Sequence, residues 1–493
     1  MESMLRWLAG LLFILALAAG GAYIVAGRGA PPTLTILKPD RVVGQSGTLE
    51  VMAAAPGARF TALTITLEQN GKSTPLYTLG MNTGANTANA DANTLRITRG
   101  IGKKDVPELQ QGTARIVATA TRLSFLKLRP LTSSTSKEFQ VKLEPPRISI
   151  LSTKHYVNLG GSEMVVYKAT PADVQSGVRV GNIEYPGFPA SGAGMTGVDD
   201  STRLAFFALL HDQDLNTRIQ AFARDDAGNE VTATFVDNVF PKPFKKSRIA
   251  LDDKFIERVV PEILEHSPEL KIPVPAQGSP EMLQAFLKIN GDLRKINTEQ
   301  IAALAAKTQP TRMWEGPFIQ LGNSQVEASF ADHRTYTYGG KEVDQQTHLG
   351  FDLAVTAHVP VLAANNGAVI NASWLGIYGN CIVIDHGMGV QTLYGHLQSF
   401  DVKVGDKVTR GQQIGRSDST GLAGGDHLHF TQLVGGRMVN PVEWWDPHWI
   451  ADRIERKLHE DGSAGNPATG TAAPPVRSAG KPQAHRQRSG KKR

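Results

Sequence analysis

The chain has 493 residues, 41% of them hydrophobic and 20% charged, so it carries apolar material for several packed cores rather than one. Its single cysteine, Cys381, excludes an intrachain disulfide and any cysteine-rich zinc ribbon. The net charge of +6 is a property of the tail: residues 462–493 hold seven Lys and Arg and no acid, which leaves the rest of the chain near neutral and argues against a nucleic-acid-binding face.

Leu8 to Gly27 reads LAGLLFILALAAGGAYIVAG, a run without a charge between Arg6 and Arg28. At about 1.5 Å per residue a helix of this length spans about 30 Å, the thickness of a bilayer's hydrocarbon core. Ala16-Leu17-Ala18 resembles a small-x-small signal cleavage site. The apolar run nevertheless continues through Tyr23-Ile24-Val25. Residues 8–27 are therefore expected to be an uncleaved transmembrane anchor, with 1–7 in the cytoplasm and the rest of the chain on the other side of the membrane.

A repeat follows. Pro31-Pro32-Thr33-Leu34-Thr35-Ile36-Leu37 returns as Pro145-Pro146-Arg147-Ile148-Ser149-Ile150-Leu151. Each copy leads into strand-like runs, GTLEVMA from Gly47 and SEMVVYKA from Ser162, and later into ARIVATATR from Ala114 and TRIQAFARD from Thr217. Alternating apolar residues between turn signals predict two β-sandwich modules, 31–144 and 145–245. They loosely resemble immunoglobulin-like domains and contain no catalytic constellation. From Leu251 the apolar spacing changes to three and four, which predicts amphipathic helix. Prolines 261, 268, 273, 275 and 280 are expected to break it into short pieces, giving a helical connector over 246–310.

The region 311–450 is again β-rich, and it holds three short motifs. His348 and Asp352 stand four apart, Tyr394 and His396 two apart, and His427 and His429 two apart in GGDHLHF. Even spacing on a strand puts both members of a pair on one face. Two imidazoles on one face suit a metal site, or a metal ligand beside a catalytic base. Each pair alone is a weak signal, but three within one domain form a pattern.

The series HLGFDL, PVLAANNGAV, CIVIDHGMGVQTLYGHL, VKVGDKVTRGQQIG and GGDHLHF resembles the zinc metallopeptidases of the lysostaphin and LytM type, peptidase family M23. The resemblance implies a small antiparallel β-structure with a groove that holds one zinc ion per chain. It implies substrates in the peptide stems and cross-bridges of peptidoglycan. It makes His348, Asp352 and His429 the zinc ligands, and His396 and His427 the catalytic histidines. Three positions depart from the family pattern. Asp426 stands where proline is usual, Thr431 where an acid is usual, and Asp418 where a small residue is usual. These departures bear on groove shape and substrate preference. His386 is expected to be structural, His333 and His358 match no ligand position, and Cys381 is expected to pack as a small apolar residue.

The whole reads as a mainly β, multidomain chain with a transmembrane helix, two immunoglobulin-like sandwiches, a helical connector and an antiparallel M23 domain. The expected function is a zinc endopeptidase anchored in the bacterial inner membrane. It would cut peptidoglycan cross-links in the periplasm or cell wall, with no nucleic-acid partner. The alternative is a non-catalytic relative that binds the wall and activates another hydrolase. The sandwiches blocking the groove is a third possibility. Residues 451–493, rich in Gly, Ala, Pro and Ser, are expected to be a disordered basic tail.

The amino terminus can be tested directly. With a retained anchor, the mature protein begins at or near Met1 and sediments with membranes; an amino-terminal sequence starting near Ala19 or Tyr23 on soluble protein would overturn the anchor.

Overall fold

The computed structural model describes residues 2–26, 29–81, 83–91, 93–124 and 127–459. Glu2–Ala26 is one helix. Its span Arg6–Ala26 is 21 residues long and sufficiently apolar to cross a membrane; near its end the Arg129 guanidinium stands over the Tyr23 ring at 4.7 Å and Ala26 is buried. Leu8, Leu11, Leu12, Phe13, Ile14 and Leu15 are all exposed, so the helix presents apolar side chains that the rest of the protein does not cover.

The first sandwich packs a four-stranded sheet against a five-stranded one. Gly112–Leu123 shows how its sequence makes the core: Ala114, Ile116, Ala118 and Ala120 point inward and their neighbours outward, at the period of two that a half-buried strand requires. They meet Leu49, Val51, Leu63, Ile65 and Ile97 in a core of their own.

The second sandwich differs. Its strand Ser162–Thr170 is buried on both faces along most of its length. One face belongs to the sandwich. The other is covered by the carboxy-terminal end of the chain, so Val165 and Phe206 share one continuous core with Trp314, Phe318 and Trp444. Ring centroids of Phe206 and Trp444 are 5.9 Å apart, and those of Trp314 and Trp444 are 5.5 Å apart. Burying each such ring is worth about 1.5–3 kcal/mol, so this seam is a structural joint and not a loose linker.

Two expectations are corrected at this seam. The tail was expected to be disordered from 451, yet Ala451–Glu455 and Arg456–His459 continue a helical stretch. Ile454 and Leu458, four apart on one helical face, are buried against the second sandwich, which supplies the apolar contact that a disordered tail lacks. Residues 460–493 lie outside the described residues. The helical connector was expected to begin at 246, yet Lys246–Leu251 is a strand paired in parallel with Asp332–Tyr338. Its alternating sequence suits a sheet edge better than a helix.

The remainder of the connector is helical. Asp252 caps Asp253–His266 by accepting a hydrogen bond from the Phe255 amide at 2.8 Å. Pro261 lies inside this helix instead of ending it. An interior proline costs about 3 kcal/mol, which is offset here by the buried face of Ile256, Val259, Val260, Ile263 and Leu264. Glu281–Lys288 and Arg294–Leu304 follow, joined by a π-helical turn.

The last region is built on one antiparallel sheet. Its strands run in the order Gln325–Ala328, Phe351–Ala354, His427–Val434, Val390–Gly395, Asn380–Asp385, Gly367–Trp374 and Lys407–Val408. His427–Val434 is central and buried throughout. The hairpin Asp332–Tyr338 and Lys341–His348 stands beside this sheet and carries the connector's strand on its edge.

A buried ion pair fastens the carboxy-terminal helix. Lys457 Nζ donates to Glu163 Oε1 at 2.7 Å, and both side chains are wholly buried. Burial pushes the Glu163 carboxyl above its usual range and the Lys457 ammonium below its own. Lys457→Met strands a buried carboxylate and is expected to cost roughly 3–5 kcal/mol, with Glu163→Gln added to it recovering part of the loss. Urea unfolding of the detergent-solubilised chain, followed by tryptophan fluorescence, measures this. A single-variant loss below about 1 kcal/mol would mean that the pair behaves like a surface salt bridge.

Candidate metal centre

Strand register explains how distant residues meet. Phe351–Ala354 pairs antiparallel with the central strand so that Asp352 faces His429 and Ala354 faces His427. On the other side of the central strand, Gly395 faces His429, and His396 follows it. His348 ends the neighbouring hairpin, opposite Asp332. Gly350 lies between the first two of these residues. A Cβ there would sit 2.5 Å from the His429 ring, so only glycine lets the chain pass so close.

Three atoms converge. His348 Nε2 lies 2.9 Å from Asp352 Oδ1 and 3.1 Å from His429 Nδ1, and the last two are 3.0 Å apart. The outward bonds of the two rings define what faces inward. His348 Nδ1 is 3.2 Å from the Ser329 carbonyl, which can only accept, so Nδ1 carries the proton and Nε2 a lone pair. Thr431 donates its hydroxyl proton to the Leu349 carbonyl at 3.0 Å, so it accepts from His429 Nε2 at 2.9 Å and leaves Nδ1 bare. Two lone pairs and a carboxylate oxygen thus point at one spot with no donor among them. A cation satisfies all three. Ligands about 2.0–2.1 Å from a tetrahedral ion stand a little over 3 Å from one another, close to the spacing observed, so the site is compatible with a bound metal.

His427 and His396 flank this spot. His427 Nδ1 donates to the Gly425 carbonyl at 2.8 Å, which turns Nε2 towards Asp352 Oδ1, 3.5 Å away. His396 Nδ1 donates to the Thr420 carbonyl at 2.7 Å, and its amide donates to the Tyr378 carbonyl at 2.8 Å. These bonds hold it at a φ of 61°, a left-handed conformation that costs a residue with a side chain about 1–2 kcal/mol. The His396 and His427 rings are 4.8 Å apart. Burial, with the charges of His427 and His429, holds His396 well below its ordinary value. Burial lowers His429 to about 4. Burial pushes His427 down as well, but its bond to Asp352 outweighs this and raises it. Burial pushes Asp352 up, yet positive charge beside it, on His348 foremost when that ring is protonated, holds it well below the carboxylate range.

All five residues singled out from the motifs line one cleft of about 650 Å³. Among the described residues the sandwiches contribute only Lys245 to its walls; the connector supplies Ile249, Leu251, Phe255, Phe286 and Arg294. His386 is buried elsewhere, bonded to the Asn366 carbonyl and to Thr392, and Cys381 is buried in the sheet core. His333 bonds Thr347, and His358 stands by Asp426 on the rim.

Two residues were missed. Arg334 Nη2 donates to Asp352 Oδ2 at 2.9 Å, which leaves Oδ1 for the centre. Thr431, read from sequence only as a departure affecting groove shape, orients His429. Their places relative to the motifs carried a signal: Thr431 shares the face of His427 and His429 by period two, whereas Arg334 lies on another hairpin and could be found only in three dimensions.

Comparisons with known proteins match the carboxy-terminal part of the chain. Residues 346–441 match the model of peptidase family M23, so the chain carries an M23 domain near its carboxy terminus. Peptidoglycan DD-endopeptidase ShyA of Vibrio cholerae is 42% identical over 96 residues, which are 20% of this chain and 22% of that protein. DD-carboxypeptidase/endopeptidase Mpg of Neisseria meningitidis is 41% identical over 95 residues, 19% of this chain and 22% of that one. The matched stretch thus spans about a fifth of these relatives. Among solved structures, the catalytic domain of lysostaphin from Staphylococcus simulans is 29% identical, covering 27% of this chain and 98% of that one with a TM-score of 0.23.

Partners that orient metal ligands typically carry about 10–100-fold in metal affinity. Arg334→Met and Thr431→Val are each expected to weaken binding of added Zn2+ by such a factor, and Thr431→Ser to retain it. Competition with a chromophoric chelator measures this; unchanged affinity in both variants would show that neither residue supports the centre.

Proposed function

We propose that this chain is a zinc endopeptidase that cuts peptide cross-links of peptidoglycan from an inner-membrane anchor. The observation that carries this reading is the convergence of His348 Nε2, Asp352 Oδ1 and His429 Nδ1, three acceptors within 3.1 Å of one another, beside two further histidines. Two nitrogens and one carboxylate oxygen are a common donor set for a hydrolytic zinc, which binds imidazole and carboxylate and keeps a position open. Bound there, zinc would supply a Lewis acid that polarises the scissile carbonyl and acidifies water.

The protein's own groups do the rest. Asp352 sits between the two imidazoles, its Oδ1 2.9 Å from His348 Nε2 and 3.0 Å from His429 Nδ1. His396 and His427 both present Nε2 to the cleft, because each Nδ1 proton is committed to a carbonyl. A proton leaving the attacking water can be taken up at one Nε2, and one can be delivered to the departing amine from the other. The relatives named as peptidoglycan DD-endopeptidases support a wall peptide as substrate. The apolar helix Arg6–Ala26 supports membrane attachment, with the catalytic region in the periplasm. The domain division follows from this reading: anchor, two spacer sandwiches, connector and catalytic domain.

The division of labour between His427 and His429 tests the proposal. His429→Ala is expected to lose both metal and activity. His427→Ala and His396→Ala are expected to keep metal and lose about 10²–10⁴-fold in turnover. Metal content and release of new amino groups from purified peptidoglycan are measured on the full chain, because the second sandwich and the catalytic domain share a core. Full activity in His427→Ala, or peptidoglycan left uncut by metal-loaded wild type, would overturn the reading.

A further inference from the structure

Among the described residues the cleft holds a guanidinium that no acid neutralises. Arg294 opens the helix Arg294–Leu304 and lines the same cavity as His396 and His429. Its Nε donates to the Asn290 carbonyl at 3.1 Å and its Nη2 to Asn290 Oδ1 at 2.6 Å. Both bonds hold the guanidinium in place without neutralising it. Among the described residues Nη1 has no hydrogen-bond partner, and no carboxylate lies within ion-pair distance. The other arginine of the cleft, Arg334, is committed to Asp352.

The helix is fixed against the site. Asn297, one turn beyond Arg294, accepts from the Ile377 amide at 3.0 Å, and a Cβ on Gly376 would fall 2.2 Å from it. Tyr378, from the same short turn, packs on His429 with ring centroids 5.2 Å apart. Arg294 therefore stands on the Tyr378 flank of the centre. Two acids of the wall, Glu327 and Asp426, stand on the flank of His427, with Asp426 accepting from the His358 amide at 2.9 Å. A peptide lying across the centre meets a cation on one side and anions on the other.

We propose that Arg294 binds a free carboxylate on the residue that leaves with the amine, so that the cleft selects peptide bonds whose nitrogen is borne by a carbon carrying that carboxylate. This rests on the peptidase reading above. A fixed guanidinium with unused N–H donors is suited to a planar carboxylate. In a cross-link between D-alanine and a diamino acid, the carbonyl side offers no free carboxylate beside the scissile bond. The centre bearing the nitrogen does. The same relation holds for a terminal residue of an uncrosslinked stem, so one cleft serves both endopeptidase and carboxypeptidase cleavage. In each, the acyl carbon–nitrogen bond breaks, water gives its OH to carbon, and the remaining proton goes to nitrogen, with no co-reactant.

The test uses the full chain loaded with Zn2+ and two synthetic stem peptides, one ending in D-Ala-D-Ala with a free carboxylate and the other in the carboxamide. Wild type is expected to favour the carboxylate by about 10–100-fold in kcat/KM, the range of a charge-assisted hydrogen bond. Arg294→Gln is expected to abolish the preference, and Arg294→Lys to retain part of it. The readout is the ratio of the two peptides' rates on one preparation, in which any loss from misfolding cancels. Equal treatment of both peptides by wild type, or an equal loss on both in Arg294→Gln, overturns the subsite while leaving the peptidase reading intact. Calorimetric binding of the same peptides separates the two claims. Carboxylate-selective binding that is lost in Arg294→Gln without hydrolysis by wild type supports the subsite and sinks the peptidase reading; equal binding of the two peptides sinks the subsite.

Discussion

The constraint on which the rest of the structure depends is the meeting of three acceptor atoms, His348 Nε2, Asp352 Oδ1 and His429 Nδ1, at one buried point. Buried acceptors that face one another without a donor are costly, so the surroundings must both hold them there and leave the spot to a cation. Arg334 takes the outer carboxylate oxygen, Thr431 takes the outer nitrogen of His429, and the Ser329 carbonyl takes that of His348. Each outer bond fixes one tautomer or one rotamer, which is how second-layer partners tune a metal site.

That requirement extends outward through the hairpin Asp332–Tyr338 and Lys341–His348, which carries Arg334 and His348 together. The connector's first strand adds to the edge of this hairpin, and Ser247 donates to both oxygens of Asp332, the residue paired with His348. The connector is therefore part of the site's scaffold, and its helices form a wall of the cleft. A segment that looks like a spacer in sequence forms part of the cleft wall.

The second sandwich is tied to the same body from the opposite side. Trp444, Trp314 and Phe206 close the seam, Glu443 accepts from Asn158 and Ser162, and the Glu163–Lys457 pair anchors the last helix. The first sandwich has a separate core and meets the second through polar contacts such as Lys142 with Asp226 and Asn229 with the Lys142 carbonyl. The chain thus divides between the two sandwiches: a large unit with one continuous core carries the site, and a smaller one stands between it and the amino-terminal helix.

Local pattern determined much of this. The apolar run at the amino terminus, the alternation in Gly112–Leu123 and the two-residue spacing of His427 and His429 are short-range signals, and a helix or strand face follows from them directly. The five residues that the motif resemblance singled out, His348, Asp352, His396, His427 and His429, all line the cleft, because even spacing on a strand and a recurring order of motifs survive in one dimension. Tertiary structure alone decided the rest. Lys246–Leu251 became a strand because a hairpin edge some eighty residues later offered it hydrogen bonds, and Ala451–His459 stayed ordered because the second sandwich offered Ile454 and Leu458 an apolar surface. Arg334 and Arg294 reached the centre by the same route, from elements whose own sequence contains no trace of the acid one binds or the open space the other faces. Spacing records which side chains share a face; which faces then meet is settled by burial and hydrogen bonding between segments far apart in the chain, and no local pattern carries that information.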